Sequence, residues 1–354
     1  MSEQTMNNFD PNPGRIEDCP SCKRVFQVPL NWQVIICPAC QQAHLQPSQQ
    51  ASHMPPIELI VPPIELIVPP KLDQNDIQTH LQAFCKGAAF PVPDLTPENL
   101  AQRMLLINWP VWLTDADLSG EWDGTFGYDY EVESSREQMG GGSWSSQKVI
   151  KTRVKDEPRK GFIERHYDNV LSPALHSHEE RLSQLGPYDL GAAYVSQSQS
   201  ALQGLRQIGT IMPDALEDSV KRQFSSLAAR DCQMASGAQH LKSFTFYGEF
   251  KYMHWSHAML PMLSTYYEDD DGVRYVVGMN AQTGVSYGPR IASMKKAWLI
   301  TGILLAVTLV LMLILYLAKQ NIFVCASILI ILSFIPLVRA ASWNKKEKAK
   351  RPLA

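Results

Sequence analysis

Four cysteines carry the clearest chemistry in this chain. Cys19-Pro20-Ser21-Cys22 and Cys37-Pro38-Ala39-Cys40 are two C-x2-C knuckles separated by 14 residues. Two residues between thiols let one tight turn present both sulfurs to a tetrahedral ion at about 2.3 Å, and two such knuckles at this spacing match a four-cysteine zinc ribbon. Cys19, Cys22, Cys37 and Cys40 are therefore the expected ligands of Zn2+. The redox use of C-x-x-C needs a surrounding βαβ pattern, which the sequence lacks. Between the knuckles, residues 25–29 and 32–36 read as short strands joined by a turn at 29–31. About forty residues bury little core, so the metal is expected to supply the folding energy. Lys23 and Gln41 stand where a glycine often follows such a knuckle. His44 reads as a loop histidine just past the last ligand. Lys23 and Arg24 beside Phe26 and Trp32 make only a thin patch for a phosphate backbone, so the ribbon reads as structural or protein-binding.

The remaining titratable residues are weaker candidates. His176 and His178 would share one face of a strand; His254 and His257 form a second pair; His166 and Asp168 are spaced for an acid/base pair. A membrane-tethered hydrolase built on these residues is the enzymatic alternative, and a nucleic-acid tether through the ribbon is a third. No G-x-x-x-x-G-K-[ST] or H-E-x-x-H is present, so the leading expectation is a non-enzymatic protein. Cys85 and Cys232 read as small core residues.

The element that positions everything else is the carboxyl end. Residues 297–318 form an uncharged run of 22, long enough to span a hydrocarbon core of about 30 Å as a helix. Residues 322–338 form a second uncharged run of 17, with Pro336 expected at its helix exit. Only Lys319, Gln320 and Asn321 separate them, so residues 297–338 read as a transmembrane helical hairpin. Lys295 and Lys296 precede it; Arg339, Lys345 and Lys346 follow, and the tail 339–354 is basic. The positive-inside rule then puts both termini in the cytoplasm and the tail against anionic lipid. A buried helix pair in a soluble domain is the alternative.

Ahead of the hairpin, the expected parts are a ribbon at 1–45, a proline-rich linker at 46–70, an α+β domain at 71–290 and then the anchor. The linker contains PPIELIV twice, at 55–61 and 62–68. The prolines favour an extended spacer, while the apolar quartets suit docking as edge strands or a partner's recognition segment. Within 71–290, helices are expected from Asp73 to Gly87, after a Thr96 N-cap with Pro97, over 198–211 and over 213–234. Strands are expected from Trp122 to Val132, 149–154, 162–167, 240–254, and 262–279 with a turn at 269–272. Gly140 to Ser143 reads as a hairpin tip, and 280–284 as a last turn before the anchor. The fold class expected is an α+β cytoplasmic domain carrying an N-terminal zinc ribbon and a C-terminal two-helix hairpin. The net charge of −3 gives no basic field for nucleic acid.

Several stretches resemble a bacterial family of membrane-anchored proteins with a TFIIB-type zinc ribbon, often labelled primosomal or helicase-like. They are the two knuckles, WDGTFGYDY at 122–130, KTRVKDEPRKGFIERHYDNVLSPAL at 151–175 and RYVVGMNAQTGVSYGPR at 274–290. The chain departs from that pattern at Asn169, in the glycine-rich insert at 140–142 and in the heptad repeat. The resemblance implies a bacterial inner-membrane, multi-pass scaffold with no known enzymatic activity. Its implied partners are the lipid bilayer and a cytoplasmic or membrane protein, of which phage-shock-protein-A-like and flotillin-like proteins are the leads. Oligomerisation is left open.

Overall fold

The computed structural model describes residues 14–47, 64–88, 90–140, 143–175, 178–195, 203–317 and 323–349. The ribbon contributes three strands, β1 (Gly14–Asp18), β2 (Val25–Pro29) and β3 (Gln46–Pro47). The second heptad gives β4 (Leu66–Ile67). Helices α1 (Gln74–Lys86) and α2 (Pro97–Gln102) follow. Two long strands come next, β5 (Leu105–Gly140) and β6 (Ser143–Pro173), then α3 (Glu179–Leu185), β7 (Tyr194–Val195), β8 (Leu205–Gln207) and α4 (Pro213–Ser236). A third long strand, β9 (His240–Glu268), leads to β10 (Arg274–Asn280), β11 (Ser286–Tyr287) and helices α5 (Met294–Leu317), α6 (Phe323–Ser333) and α7 (Ile335–Ala349).

The chain divides into two units. One comprises Met1–Val111, Pro173–Thr210 and His257–Ala354; the other, Trp112–Ser172 and Ile211–Ser256. The strand order is β11-β10-β9-β5-β8-β2-β1-β3, so in the first unit the ribbon is the edge of a larger sheet. β2 pairs antiparallel with β8 through Phe26–Gln207 and Gln27–Arg206, and β8 pairs parallel with β5 through Ile107–Leu205. The core of this unit gathers Leu81 and Phe84 of α1, Leu100 of α2, Tyr267 of β9 and Tyr275, Val277 and Met279 of β10. The helix ends are those the caps dictate. Asp73 accepts from the Asp76 N–H while Asp76 accepts from the Asp73 N–H, and Thr96 accepts from Asn99 with Pro97 opening α2. The β9–β10 turn closes as expected, the Asp269 N–H donating to the Val273 carbonyl at 2.9 Å with Gly272 at φ +76°.

The second heptad does not act as a spacer. β4 pairs parallel with β9 at Ala258 and Met259 and antiparallel with β7, burying Ile64 and Ile67 against Met259. The docked reading of the apolar quartets therefore holds for this copy. The first copy, residues 55–61, lies outside the described residues.

Four expectations about elements need correction. The ribbon's partner for β2 is β1, which sits in a stretch that reads as polar; residues 32–36 make no strand beyond a single bridge from Ile36 to His44. Residues 105–111 are strand rather than a continuation of α2, because an apolar run this short fits either period and here it is buried between β9 and β8. In the region expected as helix 198–211, Leu205–Gln207 is a fully buried strand, and residues 196–202 lie outside the described residues. Finally, the short strands expected over 122–167 and 240–267 are parts of β5, β6 and β9, of 36, 31 and 29 residues, where strands of about 5–6 are usual. Of the hairpin tip expected at 140–143, Gly140 ends β5 and Ser143 begins β6, and residues 141–142 lie outside the described residues.

In the second unit, α4 buries Leu216, Val220, Phe224, Ala228 and Cys232 along one stripe. Phe224 sits 6.0 Å from the Tyr167 ring and 6.2 Å from the Phe250 ring. Gly120 of β5 and Gly248 of β9 make a close approach: a Cβ on Gly120 would stand 2.4 Å from the Gly248 Cα.

Candidate functional site

The four expected metal ligands come together. The sulfurs of Cys19, Cys22, Cys37 and Cys40 all lie within 4.8 Å of one another. The Cys19–Cys40 and Cys22–Cys37 sulfurs are 3.6 and 3.7 Å apart. A tetrahedron with metal–sulfur bonds of about 2.3 Å has edges of about 3.8 Å, so the spacing suits one ion. Each knuckle is built by its backbone. The Lys23 N–H donates to the Cys19 carbonyl and the Gln41 N–H to the Cys37 carbonyl, both at 2.8 Å. Lys23 and Gln41 accordingly hold the left-handed backbone, at φ 60° and 58°, that a glycine takes more readily. His44 is exposed and outside the cluster.

The thiols cannot all ionise side by side. Hydrogen bonds from the Cys22 and Cys37 thiols hold Cys40 well below the usual thiol range. Hydrogen bonds to Cys22 and Cys40, with burial, push Cys37 far above it. The Cys37 hydrogen bond favours ionisation of Cys22, but the Cys40 bond and burial outweigh it and push that thiol up to about 11. A divalent cation resolves this crowding, since each thiolate it binds is stabilised by the ion. Four sulfur donors fill a tetrahedral shell and leave no open position, which is the structural rather than the catalytic pattern.

The ribbon is also tied to its unit by bonds beyond the β2–β8 pairing. The Ser264 hydroxyl donates to the Pro38 carbonyl at 2.7 Å and Arg274 donates to the Gln41 carbonyl at 3.3 Å. Phe26 and Val28 are fully buried and Leu45 nearly so. Burial of Phe26 takes the stacking ring out of the thin nucleic-acid patch and leaves Lys23, Arg24 and a half-exposed Trp32.

No protein-family model, no curated protein and no solved structure matches this chain.

Of the other sequence candidates, His166 and Asp168 come together and the two histidine pairs do not assemble among the described residues. His176 lies outside the described residues. His178 is buried and stacked on Trp109, ring centroids 4.1 Å apart. His254 is exposed on β9, whereas His257, three residues on, is buried. His166 is held between two carboxylates, Asp117 at 2.5 Å and Asp168 at 2.6 Å. Those bonds, Asp117 first, raise its imidazole above the usual value. Cys232 is buried on α4, and burial pushes the half-buried Cys85 thiol up to about 11.

At the carboxyl end two helical stretches, Met294–Ile314 and Ile328–Ala349, are long and apolar enough to cross a membrane. Their apolar side chains are not packed as a soluble core would pack them: Leu299, Ile303, Val307, Val310 and Ile314 are all more than half exposed. Pro336 does not end the second stretch. The helix is interrupted at Phe334 and resumes as α7, with proline in its first turn, where no N–H is needed. Sequence reasoning missed the join at the hairpin's base. Asn344 accepts from the Ala292 N–H at 2.7 Å and donates to the Ala292 carbonyl at 2.9 Å. Trp343 donates to the Arg290 carbonyl at 2.6 Å, and buried Glu347 accepts from the Arg290 N–H at 2.8 Å. A tail read as a basic segment lying against anionic lipid is thus, through Ala349, a helix docked on the start of α5. The signal for it was polar residues, Asn344 and Glu347, recurring among the lysines on one helical face. Lys295 and Lys296 begin α5 beside this join, and Lys345 and Lys346 are exposed on α7 next to it; Arg339 is exposed further up α7.

Proposed function

We propose that this protein is a non-enzymatic adaptor on the bacterial inner membrane. Zn2+ held by Cys19, Cys22, Cys37 and Cys40 fixes the edge of the cytoplasmic sheet, and the α5–α7 hairpin holds that sheet at the bilayer. Both termini face the cytoplasm, as the basic residues at the hairpin's base favour. The ribbon and the sheet then offer a surface for a cytoplasmic or membrane protein partner, with membrane-stress proteins of the phage-shock-protein-A or flotillin type as the first to test. One observation carries the reading: a closed four-sulfur site and a pair of apolar helices belong to one unit, so the metal shapes the part that the anchor displays. Cross-linking in intact cells, followed by capture from solubilised membranes, tests it. A specific protein recovered with the wild type and lost with Cys37→Ser supports the proposal; the same captured set from both would overturn it.

A further inference from the structure

Beside the first knuckle, in the same unit, lies a cavity of about 220 Å3. That is room for on the order of seven waters. Its walls include Lys23, Arg181, Arg274 and the Tyr287 hydroxyl, and no carboxylate is among the residues lining it. Arg181 is 5% exposed, and its Nε has no hydrogen-bond partner among the described residues; the buried Tyr287 hydroxyl lies beside the Arg181 side chain. A guanidinium taken out of water is stabilised by an anion, and a buried hydroxyl beside it adds a second donor for that anion. We propose that this cavity binds a phosphate group, with Arg181 and Tyr287 as its buried donors and Lys23 at its rim.

The charge count favours an anion even beside the sulfurs. Arg274 is offset by Glu268, 2.9 Å away. Lys23, Arg24 and Arg181 remain, three positive charges. One divalent ion on four thiolates carries two negative charges, so at least one positive charge is left over. A buried guanidinium with a hydroxyl and an ammonium along the same wall is stabilised by an oxyanion, which accepts several N–H and O–H bonds at once. Phosphate fits better than a carboxylate because its oxygens spread in three directions, toward Arg181, Tyr287 and Lys23.

The inference uses the zinc-loaded ribbon, so zinc content is measured in every sample. Full-length protein in nanodiscs of neutral lipid is titrated at constant ionic strength with orthophosphate, with a soluble phosphomonoester and with chloride as control. A parallel set of nanodiscs contains phosphatidic acid. A saturable rise in melting temperature with orthophosphate or the ester supports a free phosphate ligand; a rise confined to the phosphatidic acid discs supports a lipid headgroup in the same cavity. Tyr287→Phe should weaken binding about tenfold at full zinc occupancy, and Arg181→Gln should abolish it. Should Arg181→Gln fold poorly, Tyr287→Phe alone decides. No saturable effect in any arm from protein that holds one zinc would overturn the proposal and leave the arginines as counter-charges to the sulfur site. Loss of zinc from the wild type would instead count against the ribbon reading itself.

Discussion

Cys37 and His178 make the sharpest statements about single residues. Cys37 is fully buried and touches Cys22 across the site. Cys37→Ser is expected to drop bound zinc from one ion per chain to none. It should also speed amide exchange in β1 and β2, which elemental analysis and hydrogen exchange read independently. Exchange should stay slow in α4, which lies in the other unit. His178 supplies a pH signature. Burial, then the charges of Arg181 and Arg24, holds its imidazole well below the ordinary value of about 6.5, so the folded chain keeps it neutral where the unfolded chain protonates. The unfolded state then binds the extra proton, and stability falls as pH drops below about 6.5, by up to about 1.4 kcal/mol per pH unit from this group. Above that pH the group contributes no slope. His178→Phe keeps a ring on Trp109 and removes the slope. Thermal unfolding of wild type and variant between pH 7.5 and 5, at saturating zinc, checks this; parallel curves would show that His178 takes up its proton in the fold.

Elements differ in how openly the sequence announces them. Caps are local, so α1 and α2 are legible from Asp73 and from Thr96-Pro97, and α4 from its stripe of Leu216, Val220 and Phe224. The four ligands were legible because metal geometry restricts spacing more tightly than packing does. What the sequence hides is pairing over distance. β1 is polar because it lies near the edge of the sheet, and β8 carries Arg206 and Gln207 into a central position, which no periodicity rule anticipates. The length of β5, β6 and β9 is hidden too, since each is only partly buried along its course and reads as separate short strands. The heptad repeat gives an element-scale test of pairing. Residues 55–61 and 62–68 are identical, so a chain lacking 55–61 keeps the segment that docks at Ala258 and Met259. Its melting temperature should not change. Ile67→Asp places an unpaired charge in a buried slot, at about 3 kcal/mol. In the full-length chain the first copy is able to slide into the slot with Ile60 in place of Ile67, so Ile67→Asp should cost well under half as much there as in the shortened chain. Equal losses in both backgrounds would show that the slot accepts one register only.

At the scale of the whole molecule, the base of the hairpin ties the membrane reading to a definite topology. Ala292, just before α5, exchanges two hydrogen bonds with Asn344 on α7. The start of the first apolar helix and the end of the second therefore lie at the same end, and a chain that crosses with α5 must return with α6 and α7. The basic residues fall accordingly: Lys295, Lys296, Lys345 and Lys346 cluster at the base, while Lys319 alone stands in the sequence between the two apolar runs. A field that holds such charges in the cytoplasm acts on both flanks together, so the inserted hairpin has one favourable orientation. A protease site placed after Gln320 should be cut only from the outer side of sealed membranes, and one placed after Ala354 only from the cytoplasmic side. Cleavage of both sites from the same side would mean that the helices do not cross. The join itself contributes to holding this geometry. Asn344→Ala removes both partners of the Ala292 backbone groups, which are buried, and is expected to cost about 2 kcal/mol. That loss should appear as weakened resistance to detergent unfolding with zinc content unchanged, because among the described residues no hydrogen bond joins the four cysteines to Asn344 or Ala292. A variant that lost zinc along with the join would mean that the ribbon and the anchor are coupled more tightly than their separate contacts require.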